Sequence, residues 1–278
     1  MNKENFNLIA KLLLNYNWLG NRLDQLSSLL FDDCKNETQR HLIIELIGRV
    51  KYVDDGILLH DLKSYLDFLE NTGINKTDLL FTATAMDSDP DSSHVIAYAL
   101  KNLLEREGWV GQKVISDANK IVKEARDRKT IIFVDEFIGT GHSVCSRIKT
   151  ISARLSAAKI SGFKFGVFAL ACMEGARDKI KDEFEIDVFS NNFLKKGISD
   201  YRPPEQAALS IAIMRELEHL LSTECGQENL ESLGWGQAEA LFARENGNSP
   251  NSVFPVFWWP EYSNKSTRST IFVRAMGR

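Results

Sequence analysis

Within "TIIFVDEFIGTGHSVCSRI", Thr130 to Ile148, an apolar run meets two adjacent carboxylates, Asp135 and Glu136. A turn, Gly139-Thr140-Gly141, comes next, followed by His142 and Ser143. Each residue type suggests a task. Ionised carboxylates are strong acceptors for hydroxyl groups. Glycines let a backbone come close to a phosphate, and Thr140 and Ser143 bring hydroxyl donors. A helix opening after the turn would present N–H groups that have no internal partner and attract an anion. The set suits a ligand with a phosphate at one end and hydroxyls a few ångströms away, which is the shape of a sugar phosphate. It is not the phosphate loop GxxxxGK[ST], because His142 and not a lysine follows the second glycine. It is not GxGxxG, because the carboxylates directly precede the turn. The plain alternative is a surface turn after a strand; the coincidence of strand, acid pair and Gly-Thr-Gly turn favours a ligand.

The elements around this stretch follow from periodicity. Short apolar runs at Leu79–Thr84, Ile131–Val134, Gly166–Ala171 and Asp187–Phe189 alternate with stretches of helical spacing, among them 93–107 and the run with Val144, Ile148, Ile151 and Leu155 on one face. Continuous apolar strands alternating with helices predict an α/β domain, a parallel sheet covered on both faces. In such a sheet ligands bind beyond the carboxyl ends of the strands, which is where Asp135 and Glu136 are expected. Residues 1–72 read as a helical region, with Phe6, Ile9 and Leu13 at helical spacing, ended by the turn "NTGIN". Residues 73–205 then form the α/β core. Residues 206–278 add a helix, "EQAALSIAIMRELEHLL" continuing from 205, and a strand-and-turn cap rich in Gly, Asn, Pro and aromatics, packed on the core.

Composition sets outer bounds. The chain has 278 residues and a formal charge of −4, which argues against a surface devoted as a whole to nucleic acid. Its four cysteines, Cys34, Cys145, Cys172 and Cys225, form no CxxC pair and read as free thiols of a reducing compartment. The N-terminus lacks a signal-peptide pattern, and no run reaches the ~20 apolar residues of a membrane span. A cytoplasmic protein with no membrane partner is the expectation.

"IIFVDEFIGTGHS" resembles the phosphoribosyl-pyrophosphate (PRPP) motif of type I phosphoribosyltransferases: four hydrophobics, two acids, two variable residues, a small residue, TG, one variable residue, then Ser or Thr. The resemblance implies a phosphoribosyltransferase-like, Rossmann-like core. It also implies that Asp135 and Glu136 take the ribose 2′- and 3′-hydroxyls and that Gly139, Thr140, Gly141, His142 and Ser143 hold the 5′-phosphate. Glu136 stands where Asp is commoner. The tail "GWGQAEALFARENGNSPNSVFPVFWW" is similar to the closing segment of phosphoribosyltransferase-like proteins of bacterial conflict and anti-phage defence loci, with Ser249-Pro250-Asn251 at the turn. That resemblance implies an effector or component of such a system, with a partner protein or nucleoprotein, for example one with a reverse transcriptase.

"MDSDPDSSH", Met86 to His94, falls where that family keeps its pyrophosphate loop, so Ala85, Met86, Asp87 and Ser88 are the loop candidates. A calcium loop starting at Asp87 fails, because Ser92 and Tyr98 stand where Gly and Glu are required. Asp87, Asp89 and Asp91 would repel a pyrophosphate unless Mg²⁺, carried by the ligand, intervenes. As a solvated loop, the same segment would cap the next helix with Asp91 or Ser92. Cys145 reads as a small packed residue, and Trp235, Trp258 and Trp259 as core. Two functions stay open: a transferase acting on PRPP, and a non-catalytic ribose-phosphate or nucleotide-binding regulatory module held by a partner.

Overall fold

The computed structural model describes residues 2–85 and 91–276. Two compact units divide the chain: Met1–Val53 with Lys195–Arg278, and Asp54–Leu194. The helical block expected over 1–72 is therefore shared between them. Helices α1 (Lys3–Asn15), α2 (Leu23–Ser27) and α3 (Glu37–Arg49) and strand β1 (Lys51–Val53) belong to the first unit. Asn2 and Asn36 cap α1 and α3 by accepting from the N–H groups of Asn5 and Gln39.

The unit Asp54–Leu194 opens with α4 (Asp55–Asn71) and continues through β2 (Leu79–Ala83), α5 (Ser92–Arg106), β3 (Lys113–Val114), α6 (Ala118–Glu124) and β4 (Thr130–Ile138). It closes with α7 (His142–Ala157), β5 (Lys164–Met173), α8 (Glu174–Phe184), β6 (Val188–Phe189) and β7 (Phe193–Leu194). The strands form one parallel sheet in the order β3-β2-β4-β5-β6, and β7 also pairs with β5. The expected runs are all on it, so the α/β parallel-sheet class holds. Every residue of β2 is buried, as a strand covered on both faces requires. From β2 the chain steps outward to β3 on one side, and from β4 to β5 and β6 on the other. This reversal makes β2 and β4 the switch point of the sheet. Helix α5 packs on β4 and β2 and against α4, whereas α6 packs on α7 and α8 on β5.

Helix α4 is fastened to the sheet in two ways. Tyr65 stacks on Phe168 with ring centroids 4.6 Å apart, and Tyr65 and Phe68 both meet Phe189. Asp61, 4% exposed, accepts from Asn191 Nδ2 at 2.8 Å and Asn192 Nδ2 at 2.7 Å. Asn192 Nδ2 also donates to Leu170 O at 2.7 Å, and its carbonyl accepts from Cys172 N–H. The loop after β6 is thereby held to the end of β5.

The other unit resumes with α9 (Pro204–Glu218), the antiparallel pair β8 (Glu224–Cys225) and β9 (Glu228–Asn229), and β10 (Phe242–Arg244), which pairs in parallel with β1. Phe242, Phe254, Phe257 and Trp259 are fully enclosed and Trp258 nearly so, but Trp235 is exposed. Arg268, also buried, pairs with Asp33 at 2.7 Å and donates to the carbonyls of Trp259 and Val256. Tyr262 supplies Asp33 with a further donor at 2.8 Å. Among the described residues no helix is long and apolar enough to cross a membrane.

Asp61→Ala is expected to lower unfolding free energy by about 1–2 kcal/mol, because it takes the charged acceptor from the buried amide of Asn192 and from the exposed amide of Asn191. Urea denaturation measures it. A loss below about 0.5 kcal/mol, the range of an exposed substitution, would show that the network does not hold α4.

Candidate functional site

The sequence places the end of the central strand at Val134, just ahead of the acid pair. The structure extends β4 to Ile138. Ala83 lies opposite Val134, and there β2 leaves the sheet, but β5 continues alongside β4 with Asp135 opposite Ala169, Phe137 opposite Ala171 and Ile138 opposite Cys172. The "ALACM" end of β5 supplies the pairing that a reading of β4 alone does not contain. Asp135 and Glu136 therefore sit inside a strand that is still paired with β5 but has passed the end of β2, at the switch point. Strand alternation sends them to opposite faces. Asp135 is half-buried and Glu136 is 1% exposed. They are less open to solvent than a pair at a free strand end.

Asp135 accepts from the N–H of Glu136 at 2.8 Å, and beside it stands Thr84, whose hydroxyl donates to Val134 O at 3.3 Å. Burial pushes its carboxyl up to about 7, and the nearby charges of Asp91 and Glu136 act in the same direction; Thr84 and the Glu136 N–H oppose the shift. Thr84 is itself fixed. Its N–H donates to Val134 O at 3.1 Å, and its carbonyl accepts from Arg147 Nε at 3.1 Å. Next along the chain, the N–H of Ala85 donates to Ser93 Oγ at 3.1 Å, and Ser93 Oγ donates to Asp91 Oδ1 at 2.6 Å. Asp91 caps α5, with His94 completing the capping box. Of the pyrophosphate-loop candidates, Ala85 is thus placed near the acid pair's neighbours; Met86, Asp87 and Ser88 lie outside the described residues.

The turn has the geometry its glycines suggested. Gly141 is buried, adopts φ 72°, and precedes α7 as its N-cap residue. A Cβ there would lie in the left-handed region that favours glycine. It would also sit 3.4 Å from the carbonyl oxygen of Ala176 and 3.6 Å from Ile180 on α8. Gly139 and Thr140 are half-buried, and His142 and Ser143 are exposed. The first intrahelical bond runs from Cys145 N–H to Gly141 O at 3.0 Å, so the N–H groups of Ser143 and Val144 precede it. No acidic residue stands in that first turn. Cys145 is 4% exposed and its thiol is pushed up by burial and by Glu183, which suits packing and not a reactive thiolate.

Thr84, Asp91 and Arg147 were not singled out as site residues from the sequence. Thr84 ends the apolar run of the strand beside β4, and that position relative to Asp135 is a signal that register alone makes visible. In the sequence Asp91 stands out as a cap and as one of three loop carboxylates, not as a neighbour of Asp135, and Arg147 lies on the expected helix with nothing to mark it.

A family model for PRTase-CE matches residues 16–274. The chain belongs to the PRTase-CE family. The matched range takes in segments of both units. A search of curated proteins finds no match. Among solved structures the PRTase-CE chain is similar to the Helicobacter pylori Xanthine-Guanine-Hypoxanthine Phosphoribosyltransferase, with 16% identity and a TM-score of 0.34, over 52% of this chain and 83% of that one. A likeness of that degree carries no argument about substrate.

The raised pKa of Asp135 makes stability depend on pH. Its folded-state value, about 7, exceeds the ordinary 3.8, so the folded protein holds a proton that the unfolded chain releases. The group's stabilising contribution is complete below about pH 4 and is lost as pH rises through about 7. Asp135→Asn should remove that slope and exceed the unmodified protein in stability at pH 8 by roughly 1–2 kcal/mol, allowing for solvent screening. Urea unfolding at pH 5 and pH 8 tests this; equal pH dependence in both proteins would refute it.

Proposed function

We propose that this PRTase-CE protein binds PRPP or a related ribose phosphate, with the phosphate at Gly139–Ser143 and the ribose hydroxyls at Asp135 and Glu136. The observation that carries the reading is positional: acid pair and glycine turn follow one another along β4 at the switch point of a parallel sheet. The N-terminus of α7, sixteen residues long and without acids in its first turn, supplies N–H groups and a partial positive charge. Orientation is what the chain's own groups contribute. Gly141 brings the backbone close to the phosphate, Ser143 and Thr140 add hydroxyls, and Asp135 holds the sugar, leaving its anomeric carbon open to an acceptor.

Mg²⁺ is tested by the donor set. Among the described residues no group of three or more His, Cys, Asp and Glu side chains is arranged to hold a metal. An ion that arrives on a diphosphate requires only one or two protein carboxylates and water. Asp135, held near half-ionised by burial beside Asp91 and Glu136, is a hard oxygen donor that a cation would ionise. The residues fit. Bound there with the ligand, Mg²⁺ would supply charge neutralisation for a departing pyrophosphate.

In the cell the proposed role is an effector or component of a bacterial anti-phage defence system, resident in the cytoplasm. One observation favours a second reading, a non-catalytic sensor or regulatory module held by a partner protein or nucleoprotein: Glu136 is 1% exposed, so a ligand reaches it only after local rearrangement. A partner that opens the site would provide that.

Titration calorimetry with PRPP and Mg²⁺ is expected to show binding to the unmodified protein and none to Ser143→Glu. The added carboxylate meets the phosphate, whereas an acid in the first turn of α7 is otherwise favourable to the helix. Near pH 7 binding should release a proton from Asp135, read as a heat that varies with buffer ionisation enthalpy. No binding by the unmodified protein, or full binding by Ser143→Glu, would overturn the reading. Pyrophosphate release with bases, nucleotides and nucleic acids as acceptors then separates transferase from sensor.

A further inference from the structure

The carboxyl end of α9 opens on a cavity of about 590 Å³, and all of its lining residues belong to the unit formed by Met1–Val53 with Lys195–Arg278. Glu218, the last residue of that helix and 4% exposed, is part of the wall. An acid is badly placed there on two counts. Burial resists its ionisation, and the carboxyl end of a helix carries partial negative charge. Ser232 Oγ donates to Glu218 at 2.6 Å and the N–H of Leu233 at 3.0 Å. An ionised carboxylate has about four acceptor positions, so these two donors leave capacity. Leu233 itself adopts φ 64°, and Leu230 N–H donates to Thr223 O at 2.9 Å, so the far wall is held in a defined shape.

The charge around Glu218 is mixed. Arg215, three residues earlier and so a neighbour on one helix face, acts on the Glu218 carboxylate through space, as does His219. Among the described residues no carboxylate forms an ion pair with Arg215, Glu218 included. Lys265 is engaged by Glu261 at 3.0 Å and by the carbonyl of Glu224 at 3.1 Å. Ser222, 2% exposed, accepts from Trp259 Nε1 at 3.0 Å, and its own proton goes to no acceptor among the described residues. A buried donor left unused is rare and calls for an explanation. A simple anion entering this space would meet Glu218 and Glu224, and a simple cation would meet Arg215 and His219. A small molecule with both signs finds a partner for each.

We propose that this cavity binds a free α-amino acid with an apolar side chain, its ammonium on Glu218 and its carboxylate on Arg215. The ammonium fills the open acceptor positions of Glu218 and is drawn by the negative end of α9. The guanidinium of Arg215 matches a carboxylate through paired N–H donors, and Ser222 has a proton to add. Leu221 and Leu230 form the apolar wall against which the side chain lies. A cavity of this volume is of the size that takes small ligands, with room for the larger side chains.

Asp135 and Ser143 play no part in this site, so its test is independent of the ribose-phosphate reading. The probes are leucine and phenylalanine, titrated calorimetrically into the full chain, each beside its decarboxylated amine and its deaminated acid. At least one amino acid should bind with unit stoichiometry, about tenfold or more tightly than either of its single-charge controls. Arg215→Gln, a neutral change at an exposed helical position, should weaken that amino acid about tenfold or more and leave its amine unchanged. Glu218→Gln should weaken amino acid and amine alike. If Glu218→Gln fails to fold, Arg215→Gln alone decides. Failure of both amino acids to bind, binding indifferent to Arg215→Gln, or an amine or acid held as tightly as its amino acid would each overturn the proposal.

Discussion

Beyond Val134, strand β4 keeps its pairing with β5 but no longer has β2 beside it. This one-sided continuation is the constraint on which the Asp54–Leu194 unit depends. It carries two carboxylates into the sheet where a fully paired strand could not accept them, since the cost of taking a charge out of water falls only when partners or solvent reach it. The departure of β2 provides both. Thr84, just past β2, lies beside Asp135, which is half-buried instead of sealed. Had β2 run four residues further, the acid pair would need apolar replacements.

The same geometry explains what sequence could and could not reveal. Strands β2, β4 and β5 are legible because a strand covered on both faces must be apolar at successive positions, and "LLFTA" and "IIFV" are. The end of β4 is not legible, because polarity marks a boundary at Val134 whereas hydrogen bonding to β5 carries the strand on to Ile138. Gly141 is legible as a turn glycine from its neighbours alone. Its packing against Ala176 and Ile180 is not, because that contact depends on where α8 falls. Thr84, Asp91 and Arg147 converge near Asp135 through register and helix placement, two properties of strand order that no local window holds.

The two-unit division was beyond reach for a related reason. Parallel pairing of Lys51–Val53 with Phe242–Arg244, and the buried pair of Asp33 with Arg268, join segments some two hundred positions apart. Periodicity identifies helices on either side of the α/β core but says nothing about which will share a core. Arg268 illustrates the commitment involved. A guanidinium 4% exposed is tolerable only with its donors filled, here by Asp33 and two carbonyls, so the C-terminal segment has a specific place to dock. The exposed Trp235, by contrast, shows that an aromatic-rich tail is not core at every position.

Stability and the proposed ligand response meet in Asp135. A carboxyl held near half-ionised at neutral pH weakens the fold as pH rises, because the unfolded chain gives up the proton more readily. The desolvation responsible also makes the group sensitive to any cation or hydroxyl that arrives, since interactions there are screened less than at the surface. Binding that ionises Asp135 would recover the stability that burial removes, and the two effects are the same free energy seen from the two sides of one linkage. A solvent-exposed pair at a free strand end would cost the fold little and would distinguish bound from empty states poorly. Enclosure of the acid pair by β5 on one side, with the opening left by β2 on the other, gives the sheet a charge whose state depends on what occupies the crevice.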